Sequence, residues 1–430
     1  MRVLKFVAVL IGIFIGVQFI RPELANPAVT ADLAAPPEVK QILRTSCYDC
    51  HSNETRLRWF DRLVPAYWMV VRDVKAGRKH LNFSEFATLP PAQQKGELFE
   101  AVNMIRFGAM PLKAYERVHP ESKVSPQQMR TLEQYLLDSL PGVVPTSSAA
   151  NDASGKHAPS VVDPALNGIT YFSDYKNWKT VNSTDRFDNQ TVRQILGNDV
   201  AISAIAAGQT NPWPDGTAFA KVAWNRHVDE QGAVTAGDFK QVEFMIRDSR
   251  KYSSTLGWGF ARWVTPDLKP YGKDAGFAGE CVGCHTLMRD HDYVYTTPIQ
   301  RHSTTLPFDP LQWRVITASV DRQASSMSTL YGNDVAVDAA RARLPGGYPA
   351  GSVLSLVTWH QQDDDHWFGA KIPAAPATVE FVMVGKTGSE LSYGYKLYEG
   401  TQLTETTVKE GGSAHDRIAY ILSQTAAAMP

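Results

Sequence analysis

The chain has 430 residues, 43% of them hydrophobic and 20% charged, an ordinary globular composition with length for about three domains. A formal net charge of −1, with no basic block longer than clusters such as Arg78-Lys79-His80, excludes an electrostatic case for nucleic acid or any other polyanion as partner.

The N-terminus, MRVLKFVAVLIGIFIGVQFIRPE, sets Arg2 and Lys5 ahead of an apolar run from Phe6 to Ile20 that Arg21 and Pro22 close. Residues 1–21 read as a signal anchor or signal peptide. The nearest small-residue cleavage site, Val29-Thr30-Ala31, lies far downstream and favours an uncleaved membrane anchor. The positive charges hold that end in the cytoplasm. The remainder is then expected on the periplasmic side of a bacterial cytoplasmic membrane, or soluble in the periplasm if the segment is cleaved. Residues 22–37, rich in Ala and Pro, read as an extended spacer.

Residues 38–140 read as mainly helical, with helices expected over 63–76, 91–107 and 125–140 and with Pro91 and Pro126 near helix starts. Residues 141–167 are rich in Pro, Ser and Ala, lack apolar periodicity and read as a linker. Short β-type runs follow, among them TAFAKVAW, QVEFMIR and GWGFARWV. Strand alternation in the first puts Thr217, Phe219, Lys221 and Ala223 on one face and Ala218, Ala220, Val222 and Trp224 on the other. A lone ammonium therefore interrupts an apolar segment: Lys221 either snorkels from an edge or has a function.

All four cysteines lie in two copies of one pattern, Cys47-Tyr-Asp-Cys50-His51 and Cys281-Val-Gly-Cys284-His285. C-x-x-C-H is the attachment site of a c-type haem, in which two thiols bond the macrocycle and the adjacent His supplies an axial imidazole. A four-thiolate zinc site and a redox pair are the alternatives. The separation of the pairs, the His that follows each and the export signal favour two covalently bound haem c groups, with His51 and His285 as iron ligands.

The back of the chain repeats itself. Trp178, the run from Gly197 to Ala201, Pro214, Gly216 and Trp224 recur as Trp313, the run from Gly332 to Ala336, Pro349, Gly351 and Trp359, each displaced by 135 positions. Val242-Glu243-Phe244 recurs as Val379-Glu380-Phe381, and His291-Asp292 is matched to His415-Asp416. Two tandem α+β units with mainly antiparallel sheets are expected, residues 168–306 with a haem and 307–430 as a degenerate haem-free repeat. Leu356 stands where Lys221 stands in the first copy, so the lysine is present only where the haem motif is, which favours a function for it.

YFSDYKNW, Pro214-Asp-Gly-Thr with Lys221, RDSRKY from Arg247 to Tyr252, and CVGCH followed by HDYVYT resemble the cytochrome P-460 family, c-type cytochromes that oxidise hydroxylamine. The resemblance implies a haem cross-linked to a strand lysine, at Lys221. It also implies a dimerising antiparallel-sheet fold, whose second subunit the haem-free repeat replaces as an intramolecular pseudo-dimer. The related cytochromes c-prime-beta lack the cross-link, cap the haem with aromatic rings and bind gases such as nitric oxide. That resemblance gives Phe219 a capping part, against ordinary core packing, and supplies the alternative of a non-enzymatic electron carrier or gas-binding protein. Residues 41–140, with C-x-x-C-H-S-N, Leu81-Asn82-Phe83-Ser84 and Gly108-Ala109-Met110-Pro111, resemble a small exported haem-binding cytochrome c domain. There Met110 is the expected sixth iron ligand, with Met104 and Met69 as rivals. A His/Met haem suits electron transfer to a periplasmic redox partner, whereas the second haem, with no evident distal methionine, keeps a position open for a small substrate or gas ligand. Asp274 and Glu280, before Cys281, are the candidate proton acceptors.

Overall fold

The computed structural model describes residues 2–139, 161–230, 232–300, 306–400, 402–407 and 412–430. The chain divides into two compact units, Met1–Leu140 and Pro141–Pro430.

The first unit is helical, as its residues predict: α1 (Arg2–Val17), α2 (Pro37–Ser46), α3 (Tyr48–His51), α4 (Ala66–His80), α5 (Pro91–Arg106), α6 (Lys113–Val118) and α7 (Pro126–Asp138). Helix α4 starts after Pro65, later than the sequence pattern indicates, because proline is suited to a helix start and not to its interior. It runs on through Arg78, Lys79 and His80, cations that complement its negative C-terminal end. Helix α7 is opened by a Ser125/Gln128 capping box. Val39, Ile42, Val74, Phe83, Phe99 and Leu136 make the buried core.

Helix α1 has 16 residues, nearly all exposed. It rises about 24 Å against a hydrocarbon layer of about 30 Å. Among the described residues no helix is long and apolar enough to cross a membrane. The spacer differs from the sequence reading, because it lies along the unit. The Thr30 and Ala31 amides donate to the Ser84 carbonyl, the Leu33 amide donates to Phe83, and Leu33 is buried. An Ala/Pro run has few polar side chains, so its backbone takes partners from the turn at Phe83–Thr88.

The second unit is built on β1 (Lys179–Arg186), β2 (Thr191–Gly197), α8 (Asp199–Ala206), β3 (Ala218–Val228), β4 (Val234–Arg247), β5 (Trp258–Val264), β6 (Lys269–Pro270) and α9 (Ala278–His285). After these come β7 (Arg314–Asp321), β8 (Ser326–Gly332), α10 (Asp334–Ala342), β9 (Val353–Asp363), β10 (Ala370–Thr387), β11 (Glu390–Glu399), β12 (Thr404–Thr406) and α11 (Gly412–Ser423). All pairings are antiparallel. The order β1-β2-β3-β4-β7-β8-β9-β10 closes on itself through β10–β1, with β5 and β6 flanking β4, and β11 and β12 flanking β10. The two junctions correspond: Val234 faces Val320 across β4–β7, and Lys371 faces Asp185 across β10–β1.

The repeated Gly-Asn-Asp-Val-Ala run has one structural job in both places. Asn198 and Asn333 each cap a helix by accepting an amide, from Ala201 and Ala336 at 3.0 Å, and each donates to a glycine carbonyl, Gly216 and Gly351, at 2.8 Å. Both glycines have φ near +90°, at 89° and 91°, which a side chain would strain. The even positions of β3 (Ala220, Val222, Trp224) join Val357, Trp359 and Phe381 in one core shared by both copies. The odd position Phe219 points to a separate apolar layer with Ile195, Met245 and Phe260. The expected alternation of β3 is thus observed. Residues 161–167, read as the end of the linker, pack on this unit: Ala165 is buried and the Trp263 indole donates to the Asp163 carbonyl. Residues 140–160 lie outside the described residues.

Candidate functional site

In the first unit Cys47, Cys50 and His51 occupy a single turn around α3, with both thiols free. The His51 Nδ1 donates to the Leu81 carbonyl at 3.1 Å, leaving Nε2 as the available ligand atom. Helix α4 crosses the motif at Gly77, where an added Cβ would lie 2.7 Å from the Cys50 carbonyl. Burial pushes the Cys47 and Cys50 thiols up to about 12 each. Met110 is half-buried just beyond α5, and the segment that follows it is tied to the motif: the Tyr115 hydroxyl donates to Asp49 Oδ2 at 2.6 Å. Of its rivals, Met104 is half-buried within α5 and Met69 is 53% exposed on α4.

In the second unit Cys281, Cys284 and His285 share α9. His285 repeats the arrangement of His51, its Nδ1 donating to the Tyr293 carbonyl at 2.6 Å. Burial pushes its imidazole down to about 4, so it stays neutral with Nε2 free to coordinate. Its ring lies 4.9 Å from Phe260, and Cys281 and Val282 border the Phe219 layer. Two thiols, a neutral imidazole with its far nitrogen fixed, and an apolar aromatic wall fit a covalently held haem. Among the described residues no three His, Cys, Asp or Glu side chains are grouped to hold a metal ion by themselves.

Lys221 projects from the Phe219 face of β3, and its Nζ lies 2.7 Å from Glu243 Oε2, its partner across β3–β4. Arg262, opposite Glu243 on β5, brings its Nε to 3.5 Å of the other carboxylate oxygen. Burial pushes the Lys221 ammonium down, opposed by Glu243 and reinforced by Arg193 and Arg262. Burial alone would raise Glu243, but Arg262, Lys221 and Arg193 outweigh it and hold the carboxyl well below the usual range. The charges of Lys221, Glu243 and Arg262 are also felt at Cys281 and His285, which places this trio beside the attachment motif.

Other expectations fare differently. Asp274 is exposed, and its carboxylate accepts the Gly276 amide at 2.8 Å, so it shapes a turn. Glu280 is exposed and accepts from the Tyr271 hydroxyl. Phe219 is wedged between Trp213 and Trp258, with ring centroids at 4.9 and 6.0 Å, as core packing requires. His291-Asp292 and His415-Asp416 do not correspond. Asp292 is buried and accepts the Trp213 amide, whereas His415 and Asp416 are exposed on α11.

Glu243 and Arg262 escaped the sequence reading. The recurrence of Val-Glu-Phe at 242 and 379 marked the glutamate, but only strand register shows that it faces Lys221. In the second copy the same register puts Glu380 opposite Leu356. The missing cation is replaced from another element: Arg417 of α11 grips Glu380 with two hydrogen bonds, at 2.9 and 2.5 Å, and the Tyr395 hydroxyl donates to it at 2.6 Å. Ile418, Ile421 and Leu422 of α11 pack on the layer of Leu330, Leu354, Leu356 and Val382. The sheet face that carries the haem motif in the first copy is covered by the chain's own helix in the second.

A family model described as a haem-binding domain matches residues 12–138, and one described as Cytochrome P460 matches residues 172–296 and 309–416. The chain belongs to the Cytochrome P460 family. Its Cytochrome P460 match falls on both β-rich segments, including the one without cysteines, and a haem-binding domain precedes them. No curated protein matches the chain. A haem protein with an oxidoreductase-type haem site follows from these matches.

Proposed function

We propose that this Cytochrome P460 is an exported dihaem c-type cytochrome in which the site at Cys281, Cys284 and His285 oxidises hydroxylamine or a related small nitrogen species. Cys47, Cys50, His51 and Met110 would hold the other haem, which would supply electron transfer to a periplasmic redox partner. The observation that carries this reading is the cluster of Lys221, Glu243 and Arg262 on the sheet face beside α9, with its partner lysine replaced by Leu356 in the haem-free copy. Haem, when bound, supplies the redox-active iron of both sites. His285 presents Nε2, Cys281 and Cys284 fix the ring, and the layer of Phe219, Met245 and Phe260 limits water. Glu243, held ionised by three cations, is a weak base near neutral pH and serves to aim Lys221. Lys221 is proposed to be bonded to the haem through Nζ. The apolar N-terminal run supports export, with α1 at the membrane.

The test is intact mass followed by turnover. Two haems per chain are expected, with hydroxylamine-dependent reduction of an added acceptor. One haem or three would overturn the cysteine assignment, and tight binding of nitric oxide without turnover would favour the gas-binding reading. For the first haem, Met110→Ala should abolish the near-infrared sulfur-to-iron band and lower the reduction potential, since a thioether raises it. If both are unchanged, Met110 is a core residue.

We also propose that the second copy stands in for the partner subunit of a dimer. The matching junctions β4–β7 and β10–β1 and the shared core around Trp224 and Trp359 support this.

A further inference from the structure

Among the described residues, the haem-free copy reaches the haem motif of the first copy at the turn between β9 and β10. There the His366 Nδ1 donates to the Tyr295 carbonyl at 2.6 Å, and the Trp367 ring meets the Tyr295 ring at 5.9 Å, edge to face. Tyr295 in turn touches the motif directly. Its hydroxyl donates to the Cys284 carbonyl at 2.9 Å and lies 3.4 Å from the Cys284 sulfur, and its ring stands at 85° to the His285 imidazole with centroids 5.4 Å apart.

The turn is itself pinned to the first copy. The Trp367 indole donates to Asp188 Oδ2 at 2.9 Å, the Arg186 guanidinium lies 4.4 Å over the Trp367 ring, and the Asp188 amide donates to the Gly369 carbonyl. The pseudo-symmetric turn of the first copy, Asp229 to Ala233, reads DEQGA and carries neither an imidazole nor an aromatic ring. The two turns occupy matching places in the repeat, yet the residues that reach Tyr295 occur only in the turn beside a haem motif. A turn serving only the sheet closure would need no such asymmetry.

We propose that the haem-free copy completes the haem site of the first copy, with His366 and Trp367 as positioning residues that hold Tyr295 against Cys284 and His285. This rests on the reading that His285 ligates the second haem. The two bonds on Tyr295, one at its carbonyl and one at its hydroxyl, fix both ends of the residue. Its ring, edge-on to the His285 imidazole, then adds a second restraint on rotation of that imidazole besides the Tyr293 carbonyl bond. Orientation of an axial imidazole by such outer contacts tunes the metal without touching it.

The experiment uses the full-length protein and compares resonance Raman spectra and redox titrations of the second haem. Haem content is measured first in every sample. In His366→Leu and Trp367→Leu, two haems should remain attached. The iron–histidine stretching band of the ferrous second haem should broaden and shift, and its reduction potential should move, while the first haem is unchanged. His366→Asn keeps a donor near the Nδ1 position and should restore the parent band. Tyr295→Phe removes a single hydroxyl, so it serves if the tryptophan variant fails to fold, and should give the same broadening. Glu230→Gln, in the turn of the first copy, should have no effect. Variants that fold with two haems and keep the parent band and potential would overturn the positioning role. A parent protein with no haem at Cys281 and Cys284 would instead overturn the attachment reading, and this proposal with it.

Discussion

Proteolysis of the wild-type protein should give one haem joined to two separate peptides, one containing Cys281 and Cys284 and the other containing Lys221. In Lys221→Leu, which installs the residue found at position 356 of the second copy, the second peptide should be released. The optical spectrum should revert to that of ordinary haem c. Hydroxylamine turnover should fall by about tenfold or more, equivalent to at least about 1.4 kcal/mol in the barrier. The geometry presents this amine to the haem motif. Burial disfavours the ammonium form, and the hydrogen bond to Glu243 Oε2 holds Nζ on the face that borders Cys281. Lys221→Arg separates the covalent role from the electrostatic one. Its guanidinium retains the charge for Glu243 but stays protonated, so it has no free amine to bond the ring. That variant should release its peptide, lose turnover as Lys221→Leu does, and retain nearly the stability of the parent. A wild-type digest in which the Lys221 peptide is always free would defeat the cross-link and move the preference to a gas-binding cytochrome.

What could be read from the sequence was whatever is encoded locally or by repetition. C-x-x-C-H brings two thiols and an imidazole together within one helical turn, so no long-range contact had to be inferred to place Cys281 with His285. The alternation of β3 was legible because an apolar strand with one cation has a period of two, and the structure puts Phe219 and Trp224 in different layers. Glu243 was not legible as a partner of Lys221. The pairing depends on register across β3–β4, which shifts at Trp224, a bulge that no local signal announced. Asp274 looked attractive for its closeness in sequence to Cys281. An Asp two residues before a glycine amide more readily caps its own turn, as it does here. The spacer misled for a related reason: Ala/Pro composition indicates extension, and an extended chain can lie along a domain as readily as away from it. The turn carrying His366 and Trp367 was invisible because its target, Tyr295, belongs to the other copy.

Arg417→Leu should markedly destabilise the second unit, because it strands Glu380, which is 4% exposed, on a sheet face where, among the described residues, the Tyr395 hydroxyl remains as its hydrogen-bond donor. Removing one member of a fully buried pair typically costs about 3–5 kcal/mol. Arg417 itself is partly open to solvent, with 42% of its side chain exposed, so the cost here should be about 2–3 kcal/mol. For a unit of this size that is a fall of roughly 4–12 °C in the unfolding midpoint. The loss should be recovered in large part by Glu380→Gln in the same chain, since a neutral amide needs no cation and can still accept from Tyr395. The pair also bears on what fills the sheet face of the second copy, which has no cysteine. Glu243 and Glu380 occupy the same register, but the first has its cations on the two neighbouring strands and the second takes one from α11, together with the apolar side chains of Ile418, Ile421 and Leu422. A helix pinned there by a bidentate ion pair excludes a planar cofactor from the same sheet face. Arg417→Leu should therefore loosen α11 locally before the sheet, seen as faster amide exchange over residues 414–423 with exchange in β7–β9 unchanged. A variant within about 0.5 kcal/mol of the parent, the range of an ordinary surface substitution, with α11 exchange unaltered, would show that apolar packing alone holds the helix and that the ion pair is incidental.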